Sequence, residues 1–162
     1  MAWYILVYTM MFINKVCSAL QSAGIPYAVV GGYAVALHGA VRGTVDVDIA
    51  IRWTLENLKK AEKALHSLGL VSKIPVNAEN VFHFRDEYIQ NRNLIGWNFY
   101  NPKNPANQVD IIITYDLGNK HVESIKTHSG IIRVLSREDL IRMKKASGRP
   151  QDLEDSQALE GL

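Results

Sequence analysis

The chain has 162 residues, of which 48% are apolar and 21% are charged, and its net charge is +2. This size and balance predict one domain over residues 1–162 that buries its own core, and they exclude a disulfide framework because Cys17 is the only cysteine. The small net charge lacks the basic surplus of most nucleic-acid-binding domains. A single thiol is typical of a reducing compartment, so we expect a cytoplasmic protein.

The N-terminal segment MAWYILVYTMMF is apolar and carries no charged side chain. It is too short to span a bilayer, which takes about 20 residues, and it lacks the basic start of a secretory signal. We therefore expect residues 1–11 to form an extra N-terminal strand or packed arm, or to lie upstream of a natural start at Met10 or Met11. A membrane anchor is the less favoured alternative, and no membrane partner is expected.

Helices and strands are predicted to alternate in the first half of the chain. The predicted elements are a helix over 12–23, a strand over 27–30, a short helix over 33–38, a strand over 44–52 and a helix over 55–68. Gly24 and Pro26 end the first helix, because glycine suits a helix C-terminus and proline cannot continue a helix. Thr54 is expected to cap the 55–68 helix through its hydroxyl.

In the second half of the chain, the sequence predicts strands, a loop and two helices. The elements are strand candidates at 81–84 and 94–100, a turn or loop at 101–107, strands at 109–114 and 131–135, a helix ending near Ala146 and a short helix from Pro150. Ser136 and Asp139 have the spacing of a capping box, and the last helix carries Leu153 and Leu159. The interleaving favours an α+β fold in which helices back a mixed sheet.

Two acids share one face of the predicted 44–52 strand. Because strand side chains alternate, Asp46 and Asp48 point to one side, and Val45 is among the apolar residues that point to the other. Such close carboxylates repel each other unless a cation intervenes, and Mg²⁺ prefers oxygen ligands. Asp110, near the start of another strand, would be a third ligand if the two strands are neighbours, and three carboxylates can hold two metal ions roughly 4 Å apart. The alternative is that these acids form the solvated face of an exposed strand.

Gly31 and Gly32 lie between a predicted strand and a predicted helix. Glycine lets the backbone approach a ligand closely, and a helix start offers free amide donors with a partial positive charge. Together these features are typical of a phosphate cradle. A tight turn that needs a positive backbone angle is the alternative explanation.

The combination of these motifs is more specific than any one of them. The stretch GGYAVALHGAVRGTVDVDIAI resembles the signature of the nucleotidyltransferase superfamily that includes DNA polymerase beta. Its Gly-Gly, His-Gly and Arg-x-Thr-x-Asp-x-Asp pattern looks like the stand-alone bacterial group allied to abortive-infection (AbiEii-type) toxins. The tail LSREDLIRMKKASGRPQDLEDSQAL is similar to that group's C-terminal helices. The resemblance covers residues 16–159, and it places no motif in the first dozen residues or in 72–94.

The resemblance implies a nucleotidyltransferase fold, with a mixed sheet, C-terminal helices and a metal-dependent site. Asp46 and Asp48 would be catalytic metal ligands. Asp110 would be the third acid, which binds the catalytic metal or draws a proton from the acceptor hydroxyl. The implied nucleotide-binding residues are Gly31, Gly32, Lys144, Arg149 and Asp152. The implied cofactor is Mg²⁺, as two ions, and the implied substrate is a nucleoside triphosphate.

Other interpretations stay open for the charged residues outside the acid pair. Arg42 could touch a phosphate and so belong to the nucleotide site, or it could be a surface arginine. Lys144 lies one helical turn past Leu140, so it either extends to water or points into a site. Arg149 and Asp152 could simply pair at a helix start, where an acid is favoured.

The leading hypothesis is an enzyme that moves a nucleoside monophosphate from a triphosphate to a hydroxyl acceptor and releases pyrophosphate. The acceptor has no recognisable motif: a tRNA, a protein or a small molecule such as an aminoglycoside would all fit, and we expect residues 73–107 to shape the choice. A second hypothesis is a catalytically inactive nucleotide-binding module, one half of a toxin–antitoxin or regulatory pair with a cognate antitoxin as partner. A third is a metal-free interaction protein.

Overall fold

Helices and strands interleave along the chain. The computed structural model describes residues 2–44 and 46–162, with side chains from residue 10 onward. The helices are α1 Ala2–Ser22, α2 Gly31–Leu37, α3 Leu55–Ser67, α4 Ala78–His83, α5 Arg85–Arg92, α6 Arg137–Ser147 and α7 Pro150–Glu160. The strands are β1 Tyr27–Val30, β2 Val47–Ile51, β3 Val71–Ser72, β4 Gly96–Asn101, β5 Asn104–Ile112, β6 Val122–Thr127 and β7 Gly130–Leu135.

The strands of the described residues form one mixed sheet in the order β3-β4-β5-β2-β1-β7-β6. β1 runs parallel to β7 and β2 runs parallel to β5, whereas the other neighbours are antiparallel. β1 is buried along its whole length, as expected for an apolar strand in the middle of a covered sheet. In β2, Asp48 pairs with Val30 on one side and with Asp110 on the other. The turn after β1 therefore lies beside an acid of β2.

The helices pack on this sheet in two groups. α1 contacts β7 and α3, and α2 contacts β1 and β2. α6 and α7 pack against each other, and α7 also contacts α2. Large buried side chains such as Tyr27, Leu58, Trp97 and Ile111 fill the core between these layers. The contact between α7 and α2 brings the C-terminal helices next to the glycine turn.

The N-terminal segment is helical. Among the alternatives for residues 1–11, the extra strand is wrong, because α1 begins at Ala2 and continues without a break through most of the predicted 12–23 helix. The segment contains no glycine or proline that would end a helix. Met1 lies outside the described residues. In the part of the chain that the structure describes, no helix combines the length and the apolar character needed to cross a membrane.

Capping residues in the sequence correctly predict where two helices begin. Thr54 accepts a hydrogen bond from the backbone N–H of Asn57 at the start of α3, and Ser136 accepts one from Asp139 at the start of α6. The predicted capping box at α6 is only half formed, because the Asp139 carboxylate accepts a hydrogen bond from the backbone of His121 instead. These caps confirm the positions at which both helices begin.

The middle of the chain departs most from prediction. The strand predicted at 81–84 is wrong, because this segment forms the end of α4. Reciprocal hydrogen bonds between Asn77 and Asn80 cap the start of that helix. The loop predicted at 101–107 is too long, because β5 begins at Asn104 and pairs back onto β4 as a hairpin. Asp110 therefore lies near the end of a long strand and not near the start of a short one.

Two further features lie in the second half of the chain. In α7, Leu159 is buried, whereas Leu153 is 45% exposed and does not pack into the core. The edge strand β6 was not predicted, because its sequence VESIKT contains only two apolar residues, which are not adjacent.

Candidate active site

Asp48 and Asp110 lie side by side near the centre of the sheet. β2 and β5 are parallel neighbours, and their register pairs these two residues. Directly paired residues on adjacent strands point to the same face, so the two carboxyls adjoin each other. Asp46 lies in a bend before β2, because that strand begins at Val47 and not at residue 44 as predicted. Val45, which was predicted to point to the opposite face, lies outside the described residues.

Gly31 packs directly against the Asp48 carboxylate. It opens α2 with a φ of +67°, and it follows Val30, the β1 partner of Asp48. A Cβ atom built at Gly31 would lie 2.0 Å from Oδ2 of Asp48. Glycine is therefore required at this position for two reasons, the positive φ and the space that the carboxylate occupies.

Gly32 packs against the loop that precedes the acids. A Cβ atom at Gly32 would lie 2.8 Å from Cβ of Thr44 and 3.3 Å from the guanidinium carbon of Arg42. The loop approaches the start of α2 this closely because Gly32 carries no side chain. The glycine pair thus brings the backbone of α2, the Asp48 carboxylate and the Arg42 guanidinium into one small region.

Burial and neighbouring charges raise the pKa values of two of the aspartates. Burial is the main cause that raises the pKa of Asp48 to about 7, and the charges of Asp110 and Asp46 raise it further, against the opposite effect of Lys144. A hydrogen bond between the Asp48 and Asp110 carboxyls also favours the protonated form. The pKa of Asp46 is raised by burial and by Asp110, although Lys73 opposes this shift. The site therefore retains a proton near neutral pH when no cation is bound.

The raised pKa of Asp48 predicts that the ligand-free protein loses stability as pH rises. The cost of ionising this carboxyl is absent below its unfolded pKa near 3.8, grows with pH, and is complete above the folded-state pKa of about 7. At pH 8 we expect the unfolding free energy of Asp48→Asn to be higher than that of the parent by at most about 4 kcal/mol. At pH 4 the two unfolding free energies should differ little. Urea unfolding in EDTA at both pH values measures the difference. A gain of equal size at the two pH values would contradict the prediction.

The chemistry of the three aspartates suits a hard divalent cation. Asp46, Asp48 and Asp110 offer carboxylate oxygens, and a cation among them would offset the repulsion that raises two of their pKa values. Within residues 2–44 and 46–162, no group of three His, Cys, Asp or Glu side chains is already arranged as a metal site. The aspartates thus suit Mg²⁺ by donor type, and Mg²⁺ ordinarily keeps water or phosphate oxygens in its shell.

A buried ion-pair network lies beside the aspartates. Lys144 Nζ donates hydrogen bonds to Asp155 Oδ2 at 2.9 Å and to Asp152 Oδ1 at 3.3 Å. Arg42 Nε donates to Asp155 Oδ1 at 2.9 Å, and Arg149 Nε donates to Asp152 Oδ2 at 2.7 Å. Since the lysine and both aspartates are buried, each of these charges depends on its partners.

These contacts show where the charged side chains lie whose positions the sequence left open. The Lys144 amino group is buried and paired, so it does not extend to water, and its charge reaches Asp48. Arg149 and Asp152 do pair at the start of α7. Arg42 has a side chain only 25% exposed and is therefore not a free surface arginine.

The structure brings the predicted site residues together in one cleft of about 1250 Å³. The residues that line it include Asp46, Asp48, Asp110, Gly31, Gly32, Arg42, Lys144, Arg149 and Asp152. The lining also includes Ile95, Ile112, Tyr115 and Met143. This volume exceeds the roughly 300–1,000 Å³ usual for a site that holds one drug-sized molecule. The cleft is therefore larger than a typical site of that kind.

Asn98 is a site residue that the sequence did not reveal. Its side-chain amide donates to Asp110 Oδ1 at 2.9 Å and to Gln108 at 3.2 Å, which holds the Asp110 carboxyl in place. Asn98 lies between the buried Trp97 and Phe99 on β4. A polar residue between two buried aromatics points to the opposite face of the sheet, and that alternation was the available signal.

Asp155 is the second residue that was missed. It lies three residues after Asp152 in α7, so the two carboxylates share one helix face. Lys144 and Arg149 precede them in a segment rich in basic residues. That basic cluster indicates that acidic partners are present, but it does not show which acids they are.

Comparison with known proteins gives matches in structure. No family model matches the chain, and no curated protein matches it significantly. The antibiotic-resistance factor ANT(2'')-Ia has a TM-score of 0.59 at 14% identity, over 94% of this chain and 83% of its own. An antigenic nucleotidyltransferase-like protein from Paracoccidioides brasiliensis has a TM-score of 0.58 at 18% identity, over 91% and 72%. The lincomycin-bound lincosamide antibiotic adenylyltransferase LnuA has a TM-score of 0.55 at 12% identity, over 98% and 94%.

These similarities are similarities of fold. The sequence identities are too low to transfer an activity, and the matches do not support the narrower grouping with AbiEii-type toxins. The three matches cover 91%, 94% and 98% of this chain, so they include the mixed sheet and the helices that follow it. This chain therefore has the nucleotidyltransferase fold, an α+β architecture in which the described residues form a seven-stranded mixed sheet with C-terminal helices.

Proposed function

We propose that this chain is a metal-dependent nucleotidyltransferase that moves a nucleoside monophosphate from a nucleoside triphosphate to a hydroxyl group. The proposal is carried by the pairing of Asp48 with Asp110 beside Gly31, which joins acids from two strands to a glycine turn. In the reaction, the acceptor oxygen bonds to the α-phosphorus, the bond from that phosphorus to the bridging oxygen breaks, and pyrophosphate leaves. The acceptor proton passes to a base. Such a transfer needs positioning and charge stabilisation and no covalent intermediate on the protein.

We assign the acceptor end of the reaction to Asp110. Asn98 fixes one of its carboxylate oxygens by the 2.9 Å hydrogen bond. Gly96 leaves space on the same side, because a Cβ atom there would lie 3.2 Å from Cβ of Asp110. A carboxylate that is held in this way can orient a hydroxyl group and accept its proton.

We assign the metal to Asp46, Asp48 and Asp110. Divalent ions in such a site stabilise the charge that develops on the attacking and leaving oxygens. Asp48 must lose the proton that burial and its neighbours otherwise retain on it, and a cation favours that loss. The pKa of Asp48, about 7, makes this release feasible near neutral pH.

We assign the triphosphate to the basic side of the cleft. Gly31 and Gly32 line the cleft at the start of α2, so we place the phosphates beside this turn. Three cations line this side, and two carboxylates pair with them, so a positive surplus is left for an anionic ligand. The three cations are Arg42, Lys144 and Arg149.

The acceptor we favour is a small molecule with a free hydroxyl group. ANT(2'')-Ia has been solved in complex with adenylyl-2''-tobramycin, and LnuA has been solved with lincomycin bound. In this chain the cleft is lined by Ile95, Met143 and Tyr115 as well as by the aspartates. Such apolar and aromatic side chains can hold the body of a small acceptor while its hydroxyl faces Asp110. A tRNA and a protein are the alternative acceptors.

A binding module without transfer activity is the second candidate. One observation favours it: the cations that we assign to the phosphates, Arg42, Lys144 and Arg149, already pair with carboxylates. A nucleotide would have to compete with these internal ion pairs. Such a module would act with a regulatory partner, for example a cognate antitoxin.

Labelled nucleotides separate the two candidates. Each ribonucleoside triphosphate, labelled at the α-phosphate, is incubated with the protein, Mg²⁺, and either a cell extract or a panel of hydroxylated small molecules. We expect label to move to a small molecule with release of pyrophosphate. Label on a tRNA or a protein would keep the reaction and change the acceptor. Binding by calorimetry without transfer would favour the module, and the absence of both would overturn both candidates.

A further inference from the structure

Asp155 is a buried acid that connects the loop before β2 to the C-terminal helices. Its Oδ1 accepts hydrogen bonds from Arg42 Nε at 2.9 Å and from Gln151 Nε2 at 3.0 Å, and its Oδ2 accepts one from Lys144 Nζ at 2.9 Å. The residue is 2% exposed. Since it lies 113 positions from Arg42 in sequence, the contact joins two distant parts of the chain.

The two cations that Asp155 holds lie beside different parts of the cleft. The Arg42 guanidinium packs against Gly32, at the glycine turn. The charge of Lys144 acts on Asp48, at the cluster of aspartates. One carboxylate therefore sets the position of a cation at each end of the region that we assign to the triphosphate.

Asp155 stays ionised within this network. Burial alone would raise its pKa, but hydrogen bonds from Lys144, Gln151 and Arg42 lower it overall. Arg42 and Lys144 line the cleft, whereas Asp155 is not among the described residues that do so. Its carboxylate is thus used by other protein groups and does not face the ligand space.

We propose that Asp155 is a positioning residue for triphosphate binding and that it acts through Arg42 and Lys144. The inference rests on the proposed function, because the ligand concerned is the triphosphate. Two physical expectations compete here. If Asp155 only neutralises charge, its removal leaves the site more positive and strengthens anion binding. If Asp155 positions the cations, its removal weakens anion binding.

The test compares Asp155→Asn with Glu154→Gln in the full chain. Glu154 is the exposed neighbour on α7, so each variant loses one negative charge from the same helix. The probes are inorganic tripolyphosphate and a non-hydrolysable nucleoside triphosphate, each with Mg²⁺, in titration calorimetry. We expect Glu154→Gln to bind like the parent and Asp155→Asn to bind at least about tenfold more weakly. Equal or tighter binding by Asp155→Asn overturns the inference.

A second variant keeps the test valid if Asp155→Asn folds poorly. Asp155→Glu retains the charge and the ion-pair partners but moves the carboxylate by one methylene. Weaker binding by this variant, with an unchanged circular dichroism spectrum, supports positioning. Binding equal to that of the parent shows that charge alone matters and overturns the inference.

A ligand-free measurement separates this inference from the proposed function. The Nε–H proton of Arg42, assigned by its loss in Arg42→Lys, should exchange slowly in the parent and in Glu154→Gln, and at least about tenfold faster in Asp155→Asn. If the parent binds neither probe, the proposed function fails and the inference fails with it. If the parent binds both probes but the Arg42 proton stays protected in Asp155→Asn, the inference alone fails.

Discussion

Replacing Asp46 and Asp48 together by asparagine is expected to abolish nucleotide transfer and to leave a folded chain. Asparagine keeps the shape of aspartate but not its charge, so the site loses its main attraction for a divalent cation. Such a cation supplies several kcal/mol of transition-state stabilisation, which corresponds to a fall in rate of at least about 10³-fold. The transfer of label from an α-labelled triphosphate measures this effect.

The fold should survive this double substitution. Burial raises the pKa of both carboxyls, so their ionisation opposes folding, and the neutral variant should be at least as stable as the parent at pH 8. The matched control is Glu138→Gln with Glu154→Gln, which removes the same charge from two exposed acids, one in α6 and one in α7. The control should transfer at the parental rate. Parental transfer by the Asp46/Asp48 variant would remove these two residues from the site.

Gly31→Ala is expected to damage both the fold and the site. A non-glycine residue with a φ of +67° costs about 1–2 kcal/mol, and forcing a methyl group into a packed position costs about 1–3 kcal/mol more. The new Cβ atom would overlap Oδ2 of Asp48 and push that carboxyl away from Asp110. We therefore expect a loss of about 2–5 kcal/mol in urea unfolding and no measurable transfer.

Gly24→Ala is the control for the backbone contribution. Gly24 has a similar φ of +72°, but nothing lies within 4 Å of a Cβ atom built there. This variant should lose only about 1–2 kcal/mol of stability and should keep full transfer activity. Equal losses in the two variants would show that the contact with Asp48 is unimportant.

The sequence predicts local structure at the site well, because the signals there are short-range. Alternation along β2 placed Asp48 on the face opposite the apolar residues, and the break after Val30 placed the glycine turn correctly. Helix caps at Thr54 and Ser136 marked where α3 and α6 begin. Each of these features depends on a few neighbouring residues, so a single sequence is sufficient to reveal it.

The long-range features could not be predicted in the same way. Alternation shows which face of β2 carries Asp48, but it does not show that β5 is the neighbouring strand or that Asp110 is its partner. The contact between Asp155 and Arg42 has the same character, since neither residue carries a local signal for the other. Pairing of this kind is determined by the whole fold.

The secondary structure of the middle region was predicted wrongly for a different reason. Residues 81–84 are a short run with apolar members, and such a run fits a strand or a helix equally well. Asn77 and Asn80 decide the outcome by capping α4, and Val81 is buried on the helix face that results. The helix cap formed by Asn77 and Asn80 therefore determined the structure of this segment more than its apolar residues did.

The helices α6 and α7 follow every strand of the described sheet in chain order. A nascent chain therefore exposes its glycine turn and its aspartates well before the helix that holds Arg42 has been synthesised. Until α7 packs against the sheet, Arg42 in the loop before β2 lacks its hydrogen bond to Asp155. The cleft is therefore incomplete in the growing polypeptide. Vectorial synthesis thus delays assembly of the cleft until the strands are complete.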